Sequence, residues 1–377
     1  MEFGIFHSGH ILTQDNPEAQ RKAEHGRLMD EVAIAETGDK NGMKYSWLTE
    51  HHFLEEYSHV SASEVMAGFI AARTSRLHVG SGIFNLTPPV NAPARTAERV
   101  AMLDHLSEGR FEFGVGRGSS TTEFTGFGIP DGDTTREMHD EVLPEILRMW
   151  RETKYSHDGK WFSMPERNVL PKPYTVPHPP LWIACGSPST FEKAGKLGMG
   201  ALCFTLGPPD TIAPLIETYK KAISECDNPV GEYLNDNVAC VSRLMCLEDG
   251  DRARDYACHM GSGYYQSLVL HYLDSIPKPP GVPVWPELIP EPDLASVNKA
   301  VAMGLLAAGD PDDVAKSIQR YVDIGCDQLI YGCLNNTLPI EVAQESVEVF
   351  GKHVVPKFDT DPVHSTARQR EAQLAAK

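Results

Sequence analysis

Glu50-His51-His52-Phe53 sets one carboxylate beside two imidazoles at the exit of the apolar run Tyr45-Ser46-Trp47-Leu48. The run reads as a short buried strand. Ionisable groups are awkward inside a core and useful at the mouth of a barrel. An imidazole titrates near neutrality, so it can take or give a proton at physiological pH. Adjacent strand residues point to opposite faces, so only one of the two histidines easily reaches a common site. The same residues would also serve as a structural pair bonded to carboxylates and loop backbone. The block alone does not choose.

Phe111-Glu112-Phe113-Gly114-Val115-Gly116-Arg117-Gly118 is a second chemical signal. Alternation places Phe111, Phe113 and Val115 toward surrounding helices. Gly114 and Gly116 then face inward, where missing side chains leave space for a flat ligand. Arg117 follows at the strand's C-terminal end, and a guanidinium there suits a phosphate bidentately. A tight turn with an arginine salt bridge is the plainer alternative. A dinucleotide-binding glycine motif fails in detail. Its third glycine would fall on Ser119, and no helix clearly opens there.

Gly186-Ser187-Pro188-Ser189-Thr190 follows the run Trp182-Ile183-Ala184 and opens a helix. Ser187 suits the N-cap and Pro188 the first helical position. Free N–H groups in that turn make an anion site, reinforced by the Ser and Thr hydroxyls. Plain capping is the alternative. Two phosphate elements on successive strands point to one shared phosphate. Val79-Gly80-Ser81-Gly82-Ile83-Phe84-Asn85 ends a third run, where glycines allow close backbone approach to a ligand or a simple bulge. No HExxH, HxH or GxSxG is present, and adjacent histidines are a poor bidentate metal pair.

These residues need a scaffold, and the chain's rhythm supplies one. Apolar runs of about five residues alternate with helical stretches. The eight runs are Glu2–Phe6, Tyr45–Leu48, Leu77–Ile83, Phe111–Val115, Leu181–Ala184, Ala201–Thr205, Val238–Met245 and Gln328–Tyr331. Helical patterns are expected over Arg21–Asn41, Ala94–Ser107, Glu137–Arg151, Ser189–Leu197, Asp210–Ser224, Asp312–Asp323 and Ile340–Phe350. This alternation predicts an α/β fold, a closed (β/α)8 TIM barrel spanning 1–358 as one domain. Two insertions interrupt it, at about 155–180 and 275–292. The second carries seven prolines and cannot be a helix or central strand. It reads as a substrate lid or as an inert surface wrap. The polar tail 359–377 is expected to fray or to pack on a neighbour.

Composition narrows the partners. The 377 residues are 41% hydrophobic, enough for a large core. The net charge of −18 argues against nucleic acid or an anionic membrane as the main partner. No basic and apolar leader opens the chain, and no run approaches 18 apolar residues, so a cytoplasmic location is expected. All eight cysteines lie from Cys185 onward without a CxxC pair, and free thiols are expected.

Together these motifs resemble the bacterial luciferase-like family of flavin-dependent monooxygenases. The likeness runs from Trp47 to Phe53, through Arg76–Gly80 and Ala97–Asp104, to Ser107–Gly118. It is weaker over Trp182–Gly198 and Gly325–Gly332. The resemblance implies a barrel that binds reduced FMN at its C-terminal face. It implies reaction with O2 through a C4a-(hydro)peroxyflavin to oxygenate a small, apolar organic substrate. A separate reductase would supply the flavin, and a homodimer or homotetramer is the expected assembly.

By position, His51 matches the family's proton-handling histidine, with Glu50 and His52 beside it. Arg117, Ser187 and Thr190, with the Gly186 backbone, match the FMN phosphate site. Gly82-Ile83 matches a non-prolyl cis peptide beside the flavin ring, and Glu123 an acidic residue near the pocket. Light-emitting members carry a reactive cysteine at the Gly116 position and a glutamate at the Gly186 position. Ordinary oxygenation is therefore expected over light emission. Alternatives are an F420-dependent oxidoreductase of the same superfamily, a non-catalytic flavin-binding partner subunit, and a metal-dependent barrel hydrolase.

Overall fold

The structure is a computed structural model. It describes all residues except 205, 206, 261, 275, 277 and 335–337. Thr205 of the sixth apolar run, and Ser275 and Pro277 of the proline-rich insertion, therefore lie outside the described residues.

Eight parallel strands close into a barrel. They are β1 (Glu2–His7), β2 (Tyr45–Leu48), β3 (His78–Ser81), β4 (Phe111–Gly116), β5 (Leu181–Cys185), β6 (Gly200–Phe204), β7 (Val238–Arg243) and β8 (Gln328–Gly332). Each pairs with the next, and Glu2–Gln328 registers β1 against β8 to close the ring. The enclosing helices are α1 (Pro17–Lys40), α2 (Ser63–Arg73), α3 (Pro93–Leu106), α4 (Thr134–Arg151), α5 (Pro188–Lys196), α6 (Ala213–Ser224), α7 (Pro311–Asp323) and α8 (Ile340–His353). Local chemistry starts them. Asn16 caps α1 by accepting the Glu18 and Ala19 N–H groups, and Asp310 does the same for α7.

Alternation along the strands divides the core in two. Phe111, Phe113 and Val115 face outward against the helices, as the sequence pattern requires. Phe6, Tyr45, Trp47, Trp182, Leu202, Ala239 and Ile330 fill the barrel interior. Ile83, Phe204 and Val241 cover this cluster and stay partly exposed.

Two of the expected runs are broken within their length. The third run stops at Ser81, whose hydroxyl bridges the Gly114 backbone at 2.7 and 2.9 Å. A short strand, Phe84–Asn85, then pairs with β4. The seventh run breaks after Arg243, and Met245–Cys246 pairs with Ala308–Gly309.

The segment 155–180 contains a hairpin, Tyr155–Asp158 with Ser163–Arg167. The tail neither frays nor waits for a neighbour. Its helix Ser365–Ala375 docks under the barrel at the N-terminal ends of the strands. Ser365 Oγ donates to Glu2 at 2.6 Å, and Thr366 Oγ1 to Glu112 at 2.7 Å. His364 stacks on His78 with ring centroids 3.6 Å apart. Glu112 also accepts from the Trp182 indole at 2.7 Å. A buried carboxylate needs such donors, and the polar tail provides part of the set.

All eight cysteines are free. Among the described residues no helix is long and apolar enough to cross a membrane.

Candidate active site

The loop after β2 carries the histidine pair. Glu123, on the short helix Thr121–Gly126 that follows β4, reaches across to it. One Glu123 oxygen lies 3.1 Å from His51 Nδ1 and accepts the His52 backbone N–H at 2.9 Å. Glu123 is only 3% exposed, so its carboxylate is spent on this loop. An ionised carboxylate only accepts, which puts a proton on His51 Nδ1. His51 Nε2 has no hydrogen-bond partner among the described residues. The Tyr57 ring packs edge-on against this imidazole at 5.1 Å.

His52 has a separate partner. Its Nε2 lies 3.3 Å from Glu50, and the ring stands edge-on to Phe127 at 4.8 Å. Glu50 accepts from Asn91 at 2.8 Å, and Arg99 donates to Asn91 at 2.5 Å. The two imidazoles thus have one carboxylate each. Glu50 acts on His52, and Glu123 on His51.

The second centre is two strands further round. Gly114–Trp182 registers β4 against β5, so Arg117 and the start of α5 leave the barrel side by side. Arg117 Nη1 donates to Gly132 O at 3.2 Å and to Thr135 Oγ1 at 2.8 Å. No carboxylate among the described residues lies within ion-pair distance of it. Burial, with Arg136 nearby, lowers its pKa.

At the start of α5, Thr190 Oγ1 accepts the Gly186 and Ser187 N–H groups, both at 3.0 Å. The Gly186 amide is therefore engaged. The Ser187 and Ser189 hydroxyls bond each other at 3.0 Å, Ser187 Oγ also lies 3.2 Å from Thr190 Oγ1, and nothing lies within 4 Å of where a Gly186 side chain would project. One helical turn beyond Thr135, His139 is 3% exposed, its Nδ1 lies 3.2 Å from Asp140 Oδ1, its Nε2 has no partner, and burial lowers its pKa. Arg117, with the Arg136 charge near it, and the Ser187–Ser189 hydroxyl pair suit a dianion.

Between these centres, the Gly82–Ile83 peptide is cis. A Cβ on Gly116 would meet the Ile83 side chain at 2.7 Å. A Cβ on Gly114 would meet the Ser81 carbonyl at 1.9 Å. The two glycines therefore admit close packing of the β3 exit against β4. The sequence pattern had suggested open space there.

The proline-rich segment leads back from a helix, Ser262–Tyr272, that the sequence pattern missed. Leu268, Val269, Tyr272 and Leu273 pack on Leu54 and Tyr57, in the histidine loop. Asp274 accepts the Thr121 N–H at 2.7 Å and its hydroxyl at 2.6 Å. Tyr264 donates to Glu56. This excursion after β7 thus ties together the loops after β2 and β4. His10, Asn91, Tyr57 and Tyr265 are further residues of this region that the motifs did not flag. Among the described residues no group of three His, Cys, Asp or Glu side chains could hold a metal ion.

Comparison with known proteins agrees with this architecture. The alkanal monooxygenase alpha chain of the Kryptophanaron alfredi symbiont is 31% identical over 269 residues, 70% of this chain and 71% of that one. Two solved structures share the fold. One is the oxygenating constituent of 3,6-diketocamphane monooxygenase from Pseudomonas putida, a type II Baeyer-Villiger monooxygenase in complex with FMN. It has a TM-score of 0.75 at 17% identity, covering 96% of this chain and 99% of that one. The other is the coenzyme F420-dependent tetrahydromethanopterin reductase of Methanopyrus kandleri, with a TM-score of 0.66 at 19% identity, covering 95% and 99%. The family described as luciferase-like monooxygenase matches residues 1–328, and on that match the chain belongs to the luciferase-like monooxygenase family.

Proposed function

We propose that the protein is the oxygenase of a two-component system. It takes reduced FMN from a separate reductase and uses O2 to oxygenate a small organic substrate. One observation carries the reading. Arg117, with no carboxylate of the described residues within ion-pair distance, leaves the barrel beside the Ser187 and Ser189 hydroxyls. That donor set suits the phosphate of FMN. The FMN complex of the fold relative above is consistent with it.

When bound, reduced FMN would supply the electrons that activate O2. The chain's own residues do the rest. Arg117, Ser187 and Ser189 hold the phosphate, with Thr190 shaping the turn and the Gly186 backbone beside it. Gly82, Ile83 and Gly116 form the platform beside the ring. Glu123 fixes the His51 tautomer, leaving Nε2 to take or give a proton at the reacting oxygen. Glu50 fixes His52. The excursion after β7 limits water at the mouth. A homo-oligomeric, cytoplasmic enzyme completes the proposal.

The F420-dependent fold relative supports a second reading, a deazaflavin oxidoreductase. Anaerobic titration with reduced FMN and with reduced F420 separates the two. Tight binding of reduced FMN alone supports the oxygenase, and binding of F420 alone overturns it.

A further inference from the structure

Asn91 lies between the short strand Phe84–Asn85 and α3, and it is buried. Its side-chain amide has one satisfied orientation. The nitrogen donates both protons, to Glu50 Oε1 at 2.8 Å and to the Asn85 carbonyl at 2.9 Å. The oxygen accepts from Arg99 Nη2 at 2.5 Å. A flipped amide would set its oxygen against two acceptors and its N–H groups against a guanidinium.

Each of these partners belongs to a different element. Glu50 is in the histidine loop after β2. Asn85 follows Ile83 and registers with Gly116 of β4. Arg99 comes from α3, pairs with Glu64 of α2 at 2.7 Å and lies 5.9 Å from the centre of the Phe84 ring. Its charge polarises the amide it donates to, which strengthens the two bonds that amide donates in turn.

Glu50 depends on this amide. It is buried, and among the described residues its donors are Asn91 and His52 alone. Both reach the same oxygen, and the His52 bond is the longer at 3.3 Å. A buried carboxylate left with that one bond would be poorly satisfied and free to turn. Held by Asn91, it accepts the His52 Nε2 proton and leaves His52 Nδ1 bare. His51, held by Glu123, has the opposite arrangement, with the proton on Nδ1 and a bare Nε2. Two neighbouring imidazoles are thus set in opposite tautomers. One carboxylate does this directly, and the other does it only while Asn91 holds it.

We infer that Asn91 is a positioning residue for His52, acting through Glu50, with Arg99 as its anchor. The part His52 then plays in turnover rests on the proposed oxygenase reading. The clamp does not, and it is tested in the chain without flavin.

Nitrogen NMR of the full chain with isotope-labelled histidine rings tests it, with His51→Gln and His52→Gln to assign the signals. Wild type should show reversed patterns, a protonated Nδ1 in His51 and a protonated Nε2 in His52. Asn91→Leu should speed exchange of the His52 Nε2 proton with water about tenfold, the scale of one lost hydrogen bond to a charged group. Glu50→Leu should do so at least as strongly. The double variant should add nothing to Glu50→Leu, because Asn91 acts only through that carboxylate. The His51 ring should be unchanged in all three, which a general loosening of the loop would not allow. Should Asn91→Leu fail to fold, Asn91→Asp, equal in size and without the donors, carries the comparison. Unaltered His52 exchange in the Asn91 variants, an equal disturbance of His51, or additive effects in the double variant would overturn the inference. The expected pattern in a chain that binds no reduced FMN would support the clamp and sink the flavin reading.

Discussion

Glu123 and His51 are 72 residues apart in sequence and 3.1 Å apart in the fold. The contact joins the loop after β2 to the helix after β4. It selects which imidazole nitrogen stays available. A catalytic base held by a buried carboxylate keeps one tautomer and one orientation, which is what proton transfer to a fixed acceptor needs.

His51→Ala should leave reduced FMN binding close to wild type and lower product yield by about 10²-fold, the usual scale of a lost general acid or base. Oxygen consumption should continue as hydrogen peroxide release. Glu123→Ala should do the same more mildly, because His51 remains but loses its orientation. Oxygen uptake with and without catalase, alongside product yield, reads both effects. Unaltered product yield in His51→Ala would remove this histidine from the mechanism.

Arg117→Ala should raise the Kd for reduced FMN by about 10- to 100-fold, from the loss of a charge-assisted contact of about 1.5–3 kcal/mol. Reduced riboflavin has no phosphate, so its affinity should not change with the substitution. Titrating both flavins against both proteins makes the comparison. An equal loss for riboflavin would mean that Arg117 supports the ring or the fold instead.

The two β4 glycines should respond differently to alanine. At Gly114 the new methyl meets a backbone carbonyl at 1.9 Å, and neither strand can yield easily. Gly114→Ala should destabilise the fold by about 3 kcal/mol, at the upper end of overpacking costs. At Gly116 the methyl meets the end of the Ile83 side chain at 2.7 Å, which can change rotamer. Gly116→Ala should fold with a smaller loss and show weakened flavin binding. Denaturant midpoints and flavin titration test the pair.

The floor of the barrel should be acid-labile. Burial lowers both His78 and His364 to about 3, so both stay neutral in the folded chain and gain protons on unfolding below about 6.5. Burial raises Glu112 to about 7, which works in the opposite sense between about 4.5 and 7. Two histidines outweigh one carboxyl. Stability should fall as pH drops from about 6.5 toward 3, and His364→Asn should flatten that slope. Denaturation midpoints across this window decide it, and an unchanged slope would contradict the assignment.

The barrel was legible because each strand is a short apolar run bounded by turn residues. Tyr45–Leu48 matches its expected span, and the other seven strands differ by a few residues at their ends. Helix α2 was not legible. Its sequence SEVMAGFIAAR is apolar on all sides and leaves Val65 69% and Phe69 47% exposed, so no amphipathic period marks it. The C-terminal helix was missed for the opposite reason, since it docks through Ser365, Thr366 and His364 and has no apolar face to detect.

In the site, individual motifs could be read and their pairings could not. Glu50 precedes both imidazoles in sequence, and its contact is with His52 alone. The partner of His51 is Glu123, which local spacing could not reveal. Tyr57 and Tyr265 carry no motif at all. They meet because one helix crosses between loops more than 200 residues apart, as the Tyr264–Glu56 contact records.

The most direct test of the account is to bind reduced FMN anaerobically, mix with O2 in a stopped-flow instrument and follow the flavin absorbance. The account predicts saturable binding, then a transient absorbance belonging to neither reduced nor oxidised FMN, before oxidised FMN appears. Failure to bind reduced FMN, with binding of reduced F420 in its place, would contradict it.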